Sequence, residues 1–80
     1  MLSTKDLLFL ALLLARPDGM YPSDFRRYGV VGFFSRDPYA RLAWLVDQGL
    51  AYEQYNPLSQ RTKHFITPAG ALAHFHATAV

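Results

Sequence analysis

The stretch LVDQGLAYEQYNPLSQRTKHFITPAG, Leu45 to Gly70, limits the possible folds more than any other part of the chain. Its first residues continue a helical pattern that Gly49 stops. LAYEQYN and RTKHFIT, about 50–56 and 61–67, are rich in aromatic, β-branched and alternating residues, as strands are. PLSQ lies between them and is too long for a two-residue turn, so the pair reads as a hairpin with a polar tip. Thr67-Pro68 then opens a helix, cap first and proline at the first helical position. That helix is expected over about 68–77, with Leu72 and Phe75 three apart. A helix, a hairpin and a second helix must therefore follow one another with almost no connecting loop.

The same signals divide the first half. Ser3 or Thr4 can cap a helix with Asp6 in its first turn, where the helix dipole favours an anion. It runs over about 4–15 and stops at Arg16-Pro17-Asp18-Gly19. Met20-Tyr21 reads as a short extended piece. Pro22-Ser23-Asp24 opens a second helix over about 22–28, which Gly29 ends. Asp37-Pro38 starts a third, over about 37–48. The order is helix, short strand, helix, helix, strand, strand, helix, in a single α+β domain of 80 residues.

Composition removes several function classes. There is no cysteine, which excludes disulfides and thiolate metal sites and points to a reducing, cytoplasmic setting. LLFLALLLA, residues 7–15, is too short to span a bilayer, which takes about 20 apolar residues, so no membrane association is expected. Asp6 also spoils it as a signal peptide, and no small-x-small cleavage site follows. His74 and His76 are two apart and diverge on a helix, so no metal or other cofactor is expected. The carboxylates are singletons, Ser23, Ser35 and Ser59 lack a nucleophile's setting, and Gly29 and Gly32 do not form a phosphate loop. No enzyme is expected.

RLAWLVDQGLAYE resembles the recognition helix and first wing strand of the winged-helix DNA-binding domains, and RTKHFITPAG resembles their second wing strand with its Thr-x-x-Gly ending. FRRYGV resembles the end of their second helix. Among these domains the chain is most similar to the small bacterial regulators of the MarR and PadR type. It departs from them in GVVGFFSR, about three residues longer than a tight helix-turn-helix turn, and in lacking long dimerisation helices. The resemblance implies a winged helix-turn-helix, a three-helix core with a two-stranded wing and a short C-terminal helix. It also implies a transcription regulator that binds double-stranded DNA, a repressor by occlusion.

A recognition helix offers its first residues to base edges. Ser35, Arg36, Tyr39, Ala40 and Arg41 are the contacts expected there, with Arg26 and Arg27 as weaker ones from the second helix. Arg61 and Lys63 alternate along one strand, share a face, and fit a wing that reaches for the backbone. Arg36, Arg41, Arg61 and Lys63 are expected to make one positive surface, although isolated arginines on a helix are more often merely solvated.

On a helical wheel Leu7, Leu8, Ala11, Leu12 and Leu14 form a broad arc suited to the core, which leaves Phe9 and Leu13 on the remaining side. Phe9, Leu13, Leu72 and Phe75 are accordingly expected to form a homodimer interface, the alternative being that the last helix covers this stripe within the monomer through Leu72 and Phe75. The other reading is a winged helix that binds a protein and not DNA, as an inhibitor or assembly subunit docking through Phe33 and Phe34 of VVGFF, Trp44, or the Phe9/Leu13 stripe.

Overall fold

The computed structural model of the chain describes residues 2–28 and 37–79. Within them lie helices α1 (Thr4–Ala15), α2 (Asp24–Arg27), α3 (Asp37–Asp47) and α4 (Pro68–Thr78), and strands β1 (Ala51–Asn56) and β2 (Arg61–Ile66). The architecture is α+β. The two strands form an antiparallel hairpin whose register runs from Ala51 opposite Ile66 to Asn56 opposite Arg61.

Each boundary has a local cause. The Ser3 hydroxyl accepts the Asp6 amide at 3.1 Å while the Asp6 carboxylate accepts the Ser3 amide at 2.8 Å, a complete capping box. α1 ends before a turn in which Gly19 takes φ +96°, and a Cβ there would stand 2.6 Å from the Phe65 ring. α3 ends in a Schellman arrangement: Leu50 N–H donates to the Leu45 carbonyl at 2.9 Å, and Gly49 N–H, at φ +76°, to Val46 at 3.0 Å. Thr67 joins three elements. Its amide donates to Leu50 at 3.2 Å, its hydroxyl donates to the Gly49 carbonyl at 2.7 Å, and the same oxygen accepts Gly70 N–H at 3.0 Å as the α4 cap. α4 is thereby seated at the base of the hairpin.

The extended piece after Gly19 adds a third element to the sheet. Met20 N–H donates to the His64 carbonyl at 2.9 Å and its carbonyl accepts His64 N–H at 2.7 Å, so β2 lies between Met20 and β1. The core beneath is Phe9, Leu10, Leu13, Met20, Phe25, Leu42, Leu45 and Ala51, drawn from α1, α2, α3 and the sheet. α4 packs on α1.

The rotation of α1 differs from the wheel. Phe9 and Leu13 are fully buried inside the chain, so neither is a dimer contact, while Leu8 and Leu14 of the expected core arc are exposed. The helix is apolar nearly all round, so its periodicity carries little directional information. Two specific contacts set its rotation instead. Phe9 stacks on Phe25 with ring centroids 4.3 Å apart, and Asp6, on the same stripe, meets a cation inside the molecule. Leu72 and Phe75 of α4 are exposed. Among the described residues, no helix is long and apolar enough to cross a membrane.

Candidate nucleic-acid interface

The hairpin and α3 enclose a cleft of about 390 Å³, lined on the helix by Tyr39 and Ala43, on the turn by Tyr21 to Ser23, and on the hairpin by Glu53, Arg61, Thr62 and His64. Strand alternation puts Thr62, His64 and the cross-strand partner Glu53 on the face that walls the cleft. Arg61 shares the opposite face with Lys63 and Phe65 and lines the cleft from the first residue of β2.

The two hairpin cations share a face and converge on one ring. The Arg61 guanidinium lies 3.5 Å above the Tyr21 ring and donates to the Ser23 hydroxyl at 3.4 Å; the Lys63 ammonium is 5.5 Å from the same ring and donates to the Asp18 carbonyl at 3.3 Å. Arg61 nonetheless stays exposed. Tyr21 thus lies beneath both hairpin cations. Its place in the site follows from Met20 pairing with His64, a long-range contact that local sequence does not announce.

Arg41 does not join them. Its Nη1 bonds Asp6 Oδ1 at 2.5 Å and the Ser3 hydroxyl at 3.3 Å, and the side chain is only 25% exposed. Arg41, Ala40 and Trp44 line a separate cavity of about 440 Å³ with Ser3 and Asp6, whereas Tyr39 and Ala43 face the hairpin. The single positive surface expected from Arg36, Arg41, Arg61 and Lys63 is therefore not formed as such: Arg41 is committed to an internal ion pair. Ser35, Arg36, Phe33 and Phe34 lie outside the described residues. Arg27 is exposed on α2, and Arg26 is partly buried there. Trp44 is 40% exposed.

Two titratable groups are perturbed. Burial alone would raise the Asp6 carboxyl above its ordinary 3.8, but the Ser3 amide, the Arg41 guanidinium and the Ser3 hydroxyl outweigh it and hold it lower. Burial lowers the His64 imidazole below its ordinary 6.5, only partly opposed by Glu53, whose Oε2 is 3.3 Å from Nε2. Among the described residues, Nδ1 of His64 has no hydrogen-bond partner. An unpaired N–H costs more than an unpaired lone pair, so the hydrogen belongs on Nε2, facing Glu53. The wall of the cleft thus carries a neutral imidazole and a carboxylate beside Arg61.

Sequence reasoning missed Tyr21, Ser23, Glu53 and His64 as cleft residues. For His64 a signal existed: it alternates with Arg61 and Lys63 and so had to lie on the opposite face. Compared with known proteins, the chain matches no family, no curated protein and no solved structure.

Proposed function

We propose that this chain is a winged-helix domain that binds duplex DNA through the cleft between α3 and the hairpin, and that it regulates transcription by occluding the sites it occupies. The reading is supported by the order of elements, by β2 lying between Met20 and β1, and above all by one arrangement. Tyr39 on the first turn of α3 and Arg61 on the wing line the same cleft, and Tyr39 is 56% exposed. In this scheme α3 enters the major groove with Tyr39, and Arg61 and Lys63 hold phosphate beside it. Arg27 is placed to add a backbone contact. Glu53 in the cleft repels phosphate, so contact falls to the rim of the cleft and not its floor.

Fluorescence anisotropy with labelled random duplex at low salt tests this. Wild type should bind and Arg61→Ala/Lys63→Ala should bind about tenfold more weakly, by loss of two phosphate contacts. Equal binding by both proteins would remove the wing from the account.

The second reading, a protein-binding winged helix, is favoured by a different observation: Leu8, Leu14, Trp44, Leu72 and Phe75 are all exposed. Salt separates the two, since a phosphate-driven complex weakens steeply as salt rises and an apolar one does not.

A further inference from the structure

Among the described residues, β1 forms the outer edge of the sheet, and the pairing of β2 dictates which of its backbone groups are open. His64 directs both its N–H and its C=O to Met20. Its neighbours Lys63 and Phe65 therefore turn theirs toward Gln54 and Tyr52 of β1. By the same alternation the N–H and C=O of Glu53 and Tyr55 point away from β2, to the outside. Among the described residues, no backbone group beyond the hairpin bonds them.

This edge lacks the usual protection. Edge strands are commonly blunted by lysine, proline, a bulge or very short length. β1 is six residues of AYEQYN, all exposed after Ala51, with a regular register and with Glu53 as its single charge. Its side chains are suited to a sheet: Tyr52 already stacks on Phe65 with centroids 5.0 Å apart, and Tyr55 is exposed.

We propose that a second copy of the chain adds its β1 antiparallel to this edge, joining the two hairpins into one four-stranded sheet about a two-fold axis at Gln54. The open groups of β1 are complementary to their own rotated image, which makes a second copy the matching occupant. Charge chooses the register. An axis at Glu53 would set two carboxylates opposite each other, which is unfavourable. An axis at Tyr55 would place Glu53 against the partner's Pro57, which has no N–H to give. An axis at Gln54 pairs Glu53 with the partner's Tyr55, and Tyr55 with the partner's Glu53, satisfying every open group of those residues. The two Gln54 amides then meet across the axis, each able to donate to the other. Pairing at this edge leaves the face with Arg61 and Lys63 uncovered, and the inference does not depend on what that face binds.

The chain has no cysteine, so a single introduced thiol reads the geometry cleanly. Gln54→Cys places two sulfurs across the axis in a non-hydrogen-bonded pair, where Cα atoms about 4.5 Å apart allow a disulfide. Under mild oxidation it should form covalent dimer about tenfold faster or more than Leu58→Cys at the exposed hairpin tip, the advantage of a pair held together before reaction. Tyr55→Pro removes an outward N–H and no bond within the chain; light scattering should show wild type at twice the 9.1 kDa chain mass and this variant at the single mass. Cross-linking of Gln54→Cys no faster than Leu58→Cys, a monomeric wild type, or a dimer untouched by Tyr55→Pro would each overturn the proposal.

Discussion

Asp6 works in two places at once. It closes the capping box with Ser3 and holds Arg41 of α3, so one carboxylate starts α1 and fixes α3 to it. Asp6→Ala should cost about 2 kcal/mol in denaturant unfolding, below the full range for a buried pair because Arg41 is partly exposed. In a double-mutant cycle, Asp6→Ala and Arg41→Ala should be non-additive, since each removes the same pair. Because the Asp6 carboxyl is held below 3.8, its contribution is present above that pH and is lost as pH falls through the lowered value. His64 sets a milder limit. Its folded-state pKa lies below 6.5, so the unfolded chain takes up a proton first and stability declines as pH drops beneath 6.5. Thermal melts of wild type from pH 7 to 5 should show falling Tm, and His64→Gln should flatten that fall; parallel curves would rule out His64 as the cause.

At the scale of elements, the joint between α3, the hairpin and α4 is the most tightly specified region. Thr67 caps α4, donates to Gly49 and pairs with Leu50. Thr67→Ala should cost about 1–2 kcal/mol, a lost cap plus an unpaired carbonyl. Gly70→Ala should do more, because its Cβ would come within 2.9 Å of the Leu50 carbonyl carbon and push α4 off the hairpin. Urea unfolding of the two variants measures both, and a Gly70→Ala protein as stable as wild type would contradict the seating of α4. This joint was legible in sequence because each part is local: Gly49 as a left-handed stop, Thr67-Pro68 as a start, alternation between them. The rotation of α1 was not. Its wheel favoured the side with more leucines, while Phe25 and Arg41, both distant in sequence, drew Phe9 and Asp6 inward.

Over the whole molecule the basic residues are divided. Arg61 and Lys63 lie on the hairpin against Tyr21, and Arg41 faces α1. On the proposed reading as a duplex-DNA binder, the two hairpin cations imply a modest salt dependence: in the Arg61→Ala/Lys63→Ala protein the slope of log K against log salt should shrink by about 2. An unchanged slope would place the phosphate contacts elsewhere. The pairing of Arg61 with Lys63 was readable from their spacing, since the two-residue repeat of a strand is a local property. Their separation from Arg41 was not, because it depends on which helix delivers the nearest carboxylate.

The amino-acid sequence determined where the elements begin and end, since caps, glycine stops and proline starts act within a few residues of where they stand. It also determined that Arg61 and Lys63 share a face. Tertiary structure alone decided the rest: which stripe of α1 is buried, that Asp6 holds Arg41, that Met20 joins the sheet at His64, and that Tyr21 underlies the hairpin cations. Those outcomes depend on contacts between residues far apart in the chain, and an almost uniformly apolar helix has no preferred direction until such a partner arrives.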